Sequence, residues 1–485
     1  MKRQNTKRTV HVPFAFELTV ALTILLGAIT LPAQTASVFT TGLNRPSKII
    51  TAGGNSLLVA EAGTTTPNNG RISRVNRNTG VRQTLIDGLP SGLGSGGGAP
   101  DPSGPSGLKL NGQTLYLTIG DGDTAMPVTG GAIVNPAPSS PLLDSVLELT
   151  LPADYETLAS GFTLSAANQT TLNGGGQVTL TNAEGRQLTV RLVVNLPNFV
   201  AEPRPTVPAN IRVSNLYGLE LAGDSLYIVD ASFNSLYRVV IANGANSTFA
   251  TFPSRPNPTQ MGPPFIEAVP DSIRLVGNNL IISFLTGFPF VPGLSEVRSV
   301  NLDNRTQAVL IPNLTSALDV LPFNTGGVSP DSYFVLEFSS NFLAQAPGRI
   351  KLFTSAADTT PRIYVDNLIT PSSIARDPLF GVVFVTERSP GRILRVLTTT
   401  AAGVEVTGRV LTPDGRGLRN AEVSITDSQG VKRTVITSSF GYYRFTEVEA
   451  GEIYVIGVSS KRYRFASRAV QVADALTDVD FVGLE

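Results

Sequence analysis

A repeat constrains this chain more than any other feature. A proline or small polar residue, an apolar pair, a turn and a strand of the Leu-Tyr-Val type return six times. The copies are Pro46-Ser47 with Leu57–Glu61, Pro105–Leu108 with Leu115–Thr118, and Tyr217–Leu219 with Leu226–Asp230. Pro270–Ile273 with Leu280–Ser283, Leu318–Val320 with Tyr333–Glu337, and Pro371–Ile374 with Val382–Glu387 complete the set. After several copies comes a strand in which basic and apolar residues alternate, as in Gly70–Val75, Ser235–Val239 and Gly391–Val396. Period-two alternation between turn residues is a strand signature, and units of roughly 50 residues fit the four-stranded blades of a β-propeller. The expected fold class is all-β: a six-bladed β-propeller followed by a small Greek-key β-sandwich. The run Val38–Gly42 is expected to supply the outer strand of the last blade and so close the ring.

One interval, from Pro105 to Tyr217, is about twice the others. It reads as an insertion over Ala153–Arg186 between two strands of the second blade, with a hairpin signal in Gln177–Leu180 and Leu188–Val190 around Asn182–Gly185. A seventh, degenerate blade is the competing reading. The polar stretch Thr398–Gly403 reads as a linker. Beyond it the repeat stops, and short alternating strands follow over residues 404–485, enough for a small sandwich. The domains expected are therefore residues 1–36, a signal peptide; 37–400, the propeller; and 404–485, the sandwich.

The signal peptide is argued from Lys2, Arg3, Lys7 and Arg8 ahead of the apolar run Leu18–Leu31, which Pro32 breaks, with Ala33 and Ala36 as cleavage points. The run falls short of the roughly 20 residues a spanning helix needs, so no membrane span is expected after cleavage. The chain is expected to be secreted or periplasmic. Removing residues 1–36 takes away four basic residues and one acidic, leaving 33 against 36, a balance of about −3. That balance, with no basic stripe, argues against a nucleic-acid partner. Gly 46 and Pro 34 with only 15% charged residues oppose a long-helix protein, and 41% hydrophobic residues oppose disorder.

The chain has no Cys and no Trp, and its one histidine, His11, lies in the signal. Ser-His-Asp and Cys-His catalysis and His- or Cys-ligated metal sites are thereby excluded from the mature chain. What remains is oxygen chemistry. Glu61, Asp230, Glu337 and Glu387 end equivalent strands and are the candidate binding residues at the channel rim. Four carboxylates there could hold Ca²⁺, but each could equally accept hydrogen bonds from its own blade's loop, and that reading is preferred. Asp121-Gly122-Asp123 resembles the start of a calcium loop without the downstream Glu and reads as a turn. Gly92–Gly97 spells G-x-G-x-x-G but opens no helix, so it reads as a loop. Arg71, Arg74, Arg392 and Arg395 read as solvent-facing strand positions.

Two stretches resemble known families. Gly408-Arg409-Val410, Pro413-Asp414-Gly415, Gly417–Val423, Gly441–Phe445 and Ala450-Gly451 resemble the carboxypeptidase regulatory-like domain, a transthyretin-like sandwich grouped with carbohydrate-binding-like folds. The acid usual before the Gly-aromatic turn is replaced by Ser438. The body, about residues 38–397, resembles the ScyD/ScyE family of secreted bacterial propellers. That likeness rests on Thr41–Pro46, Val59–Gly63, Phe252–Pro256, Ala268–Pro270 and Leu285–Phe290, and it implies export and a propeller without implying a reaction. Together these features give an exported, non-catalytic binding or scaffold protein that uses the propeller face and loops, with the sandwich as a carbohydrate-binding module or spacer. A small molecule, glycan or protein is the partner, and no cofactor, catalytic residue or metal site is assigned. The alternative is a Ca²⁺-dependent hydrolase or lactonase at the acidic rim.

Overall fold

The computed structural model describes residues 33–485 except 95–100, 325–329, 378–380, 397–403, 428–430, 449–451, 473–474 and 485. Residues 1–32 of the expected signal peptide and the linker Thr398–Gly403 thus lie outside the described residues, whereas Ala36, expected to end the signal, is the first residue of the strand Ala36–Thr40 and so belongs to the propeller. Six antiparallel sheets follow one another around a ring, and their inner strands are Pro46–Ala52, Pro105–Asn111, Leu216–Ala222, Pro270–Val276, Ala317–Phe323 and Pro371–Arg376. The protein is a six-bladed propeller. In blades 1, 3 and 5 the second strand, Ser56–Glu61, Ser225–Asp230 or Ser332–Glu337, is buried at every residue. Each is covered on both faces, which explains continuous apolar runs where one-sided strands would alternate.

The Pro-Ser opening of the repeat has a structural cause. All six inner strands shift register just after they begin, between Pro46 and Lys48, Pro105 and Leu108, Leu216 and Leu219, Pro270 and Ile273, Ala317 and Asp319, and Pro371 and Ser373. A proline is tolerated at a strand's first position because no ladder N–H is needed there. The bulge then turns the next hydroxyl toward the neighbouring blade. Ser47 Oγ donates to Pro105 O at 2.6 Å, Ser106 Oγ to Leu216 O at 2.8 Å and Ser372 Oγ to Pro46 O at 2.7 Å. These hydroxyls latch blade to blade. The approach is close: a Cβ at Gly107 would stand 2.4 Å from Tyr217 O, and one at Gly218 2.5 Å from Asp271 O.

Ala36–Thr40 pairs antiparallel with Arg392–Val396 and completes the sixth sheet, so the chain closes its own ring. The long interval holds no seventh blade. The expected hairpin forms, Gln177–Thr181 pairing antiparallel with Gln187–Asn195, but its second arm is the second blade's own fourth strand and the first arm is a fifth added outside it. The rest of the insertion carries a helix, Ala166–Asn173, capped by Ser165, and a strand, Phe162–Thr163, that pairs in parallel with Arg82–Leu89 of the first blade. Tyr155, Leu158, Phe162, Leu164 and Leu172 join the apolar core of blades 1 and 2. Burial of that face holds the insertion against blade 1 as well as blade 2.

Beyond the linker lie two sheets, one of Val404–Leu411, Tyr442–Val448 and Phe481–Val482, the other of Lys432–Ile436, Glu422–Thr426, Glu452–Ser459 and Arg468–Val472. They enclose a separate core that includes Val406, Val410, Val423, Ile425, Tyr443, Phe445 and Ile456. Ser438, standing where an acid was expected, serves the turn with its hydroxyl, which accepts from Tyr442 N at 3.1 Å.

Candidate functional site

The four rim acids lie where the second strand meets the start of the inner strand, in the registers Pro46–Glu61, Leu216–Asp230, Ala317–Glu337 and Pro371–Glu387. All four are fully buried. Each accepts hydrogen bonds from the loop leading into its own blade. Glu61 takes Asn44 N, Asp230 takes Asn215 N at 3.1 Å, Glu337 takes Thr315 N at 2.8 Å and Glu387 takes Ile369 N. In three blades the residue between that loop and the strand is Arg45, Ser316 or Thr370, each with positive φ. A non-glycine residue in that region is strained, and the carboxylate holds the kink in place.

Cross-strand cations complete three of these sites. Arg71 pairs with Glu61 at 2.8 Å, Arg349 and Lys351 with Glu337 at 2.6 and 2.8 Å, and Arg392 with Glu387. Arg71 and Arg392 are therefore ion-pair partners, not the solvent-facing positions expected from alternation. Both arginines sit at half-buried positions of alternating third strands and bend back to the acid on the neighbouring strand. Arg74 also turns inward, donating to Tyr155 O at 2.8 Å and Leu158 O at 2.9 Å of the insertion, and Arg395 stacks over Phe39. The second blade's acidic turn is used locally as well. Asp123 accepts from Ser139 N and Oγ, and Asp121 from Ser103 Oγ at 2.5 Å.

Partway along the inner strands a buried charge cluster joins four blades. Asp319 accepts from Lys48 Nζ at 3.0 Å, Arg274 at 2.9 Å, Ser373 Oγ at 2.7 Å, Ile374 N at 3.1 Å and Ser272 Oγ. Burial alone would raise the Asp319 carboxyl, but Arg274 and Lys48 hold it well below the usual range. Burial, with Arg274 close by, lowers the Lys48 ammonium to about 8.

Above this cluster a pocket of about 340 Å³ opens where the inner strands begin. One wall is the loop Gly94 and Asp101–Ser103, whose Asp101 is clamped by Arg388 at 2.6 Å and Arg45 at 3.1 Å. Gly92–Gly94, spelled like a phosphate loop, is one strand of this small hairpin with Asp101–Ser103. The opposite wall is aromatic. Phe338 and Phe342 line the pocket, and Phe342 stacks on Phe290 at 4.0 Å between ring centres, with Phe288 beyond it. Ser47, Ser106 and Ser372 also face the pocket, but their hydroxyls are committed to the blade latches. Asn215 and Tyr217 differ: neither side chain hydrogen-bonds to the protein among the described residues. None of the four rim acids lines the pocket; Asp121 does. The signal for the Arg partners was present in the register of acid and base across a strand pair. Tyr217 stands where three other copies of the repeat carry the latch serine, a departure visible in the sequence, whereas no sequence signal marks Asn215.

Comparison with known proteins identifies the C-terminal sandwich. Residues 405–482 match the carboxypeptidase regulatory-like domain. No curated protein is a detectable sequence relative of the chain. Among solved structures, an oxidoreductase assigned as a glucose dehydrogenase from Thermus thermophilus is 14% identical, covering 75% of this chain and 100% of its own, with a TM-score of 0.41. A nidogen/laminin complex is 10% identical over 70% of this chain and 92% of its own, TM-score 0.34. The computationally designed Ika8 protein is 8% identical over 74% and 99%, TM-score 0.33. The carboxypeptidase regulatory-like domain follows the propeller at the C-terminal end and carries its own core.

Proposed function

We propose that the protein is exported and acts as a non-catalytic binding protein, with the channel-mouth pocket as its ligand seat. The resemblance of the body to the ScyD/ScyE family of secreted propellers and the basic-then-apolar start of the chain support export. The observation that carries the binding reading is the unspent pair Asn215 and Tyr217, facing a stacked phenylalanine wall. A buried-edge amide and hydroxyl supply orientation, and an aromatic face supplies area, which is the usual division of labour in a small-molecule site. Such a pocket suits a compact ring compound bearing hydroxyls, with carbohydrate as the leading class. The hydrolase reading needs free rim carboxylates, whereas Glu61, Glu337 and Glu387 are engaged by Arg or Lys.

The test is a glycan array followed by calorimetric titration of the mature chain and of a variant lacking 404–485. Binding retained without that domain, and weakened about tenfold or more by Asn215→Ala or Phe342→Ala at unchanged melting temperature, supports the reading. Binding that disappears with the domain, or is indifferent to both substitutions, refutes it.

A further inference from the structure

Blade 3 breaks the neutralising pattern of the other acid-bearing blades. Opposite Glu61, Glu337 and Glu387 stand Arg71, Arg349 and Arg392, but opposite Asp230 stands Ser235. Asp230 is satisfied by backbone N–H groups of Asn215, Ser232 and Phe233 and by Ser214 Oγ at 2.8 Å. Among the described residues no cation pairs with Asp230 in place of the missing arginine. Blade 2 instead brings two more carboxylates toward the same region. Asp144 ends the loop ahead of the strand Ser145–Thr150, its N–H bonded to Gly120 O at 3.2 Å, next to Asp121. The Asp121-Gly122 turn packs so closely on Leu143 that a Cβ on Gly122 would lie 2.5 Å from its side chain.

Asp144 is the informative member. It is fully buried, and neither carboxyl oxygen has a hydrogen-bond partner. Its backbone is left-handed, with φ of 56°. Ser214 stands within reach, but its hydroxyl has one proton and gives it to Asp230. Burial, then Asp121 and Asp230, push the Asp144 carboxyl well up. A buried carboxylate without donors is costly, and three acids with no facing base raise that cost. At the other three rim acids the charge is met by arginine or lysine.

We propose that Asp144, together with a neighbouring carboxylate of Asp230 or Asp121 and the Ser214 hydroxyl, binds a divalent cation of the calcium class between blades 2 and 3. The donors are all oxygen, which suits a hard cation. Among the described residues no three carboxylates converge into a ready-made metal cage, so Asp144 with one partner acid, hydroxyl oxygen and water makes the shell. The site shares Asp230 with the rim acids and, through Asp121, borders the pocket, but it needs none of the rim glutamates.

The experiment uses the full mature chain, stripped with chelator and titrated with CaCl₂, read by calorimetry and by melting temperature. Saturable binding of about one ion per chain is expected, with the melting temperature raised by about 3 °C at a hundredfold excess over Kd. Asp144→Asn should abolish both effects, and Glu387→Gln should keep both. Terbium luminescence of the wild type gives a readout that needs no variant, should Asp144→Asn fail to fold. An absence of calcium and terbium binding in the wild type overturns the proposal. Equal calcium binding by Asp144→Asn also overturns it, and loss of binding in Glu387→Gln would move the site to the rim.

Discussion

Replacing Asp319 by Asn tests how the propeller is held together at its waist. Asn keeps the side-chain shape and one acceptor oxygen but removes the charge that Lys48 and Arg274 share. Lys48, 4% exposed, would stay buried, and Arg274 half-buried beside it. Breaking a buried ion pair from one side costs about 3–5 kcal/mol, because the uncompensated charge remains inside. Unfolding entropy of about 2.1 cal/mol/K per residue over the span Ala36–Val396 gives about 0.75 kcal/mol/K. The expected fall in melting temperature is therefore about 4–7 °C, measured by scanning calorimetry at pH 7. Because the folded-state pKa of Asp319 is depressed, its contribution is present above the ordinary carboxyl value near 4 and is lost as pH falls toward the folded value. The gap between wild type and variant should accordingly narrow below about pH 3.5. Pairing Asp319→Leu with Lys48→Met should recover only the part of the loss due to Lys48, because Arg274 is still left without its partner. A loss below about 1 kcal/mol at pH 7 would refute the account of the cluster as a four-blade tie.

Ser372→Ala removes the latch to Pro46 O and should cost about 1 kcal/mol in urea unfolding. Glu387→Gln keeps an acceptor for Ile369 N but loses the Arg392 pair, and should cost about 1–3 kcal/mol, with faster hydrogen exchange in Ala36–Thr40. Deleting 404–485 should leave the propeller's melting temperature within about 1 °C, and the excised domain should fold alone, as its core is its own. Mass spectrometry of the exported protein should find Gln34 as the first residue, because Gln34 N bonds Tyr364 O at 2.7 Å and Ala36 begins the closing strand.

The ring was legible because propeller blades repeat, and repetition converts weak local signals into a strong one. Pro46-Ser47, Pro105-Ser106 and Pro371-Ser372 mark the bulges because both residues answer one geometric demand. The insertion was legible in place but not in detail, since Leu188–Val190 reads the same as a hairpin arm or as the blade's own outer strand. Only pairing with Ser145–Thr150 decides that. The arginines opposite the rim acids were misread for a physical reason: alternation places Arg71 and Arg392 at half-buried positions, and it does not show that a long side chain there reaches back to the acid on the neighbouring strand. Asp144 and Asn215 were invisible, because each lies in a loop whose importance comes from the blade beside it. Burial and missing partners are properties of the assembled ring, not of any window of sequence.

The closing strand also sets how the propeller bears load. Ala36 lies opposite Val396 in an antiparallel pair, so the chain enters and leaves the sixth blade at the same edge. A pull between the segment before Ala36 and the segment after Val396 acts across the ladder, and its hydrogen bonds break in succession instead of together in shear. The blade would open like a zipper at low force, with Ala36–Val396 the first pair to separate and Thr40–Ile393 the last. A tether at one end and a grip at the other would therefore make the ring a soft mechanical element, whatever its thermal stability.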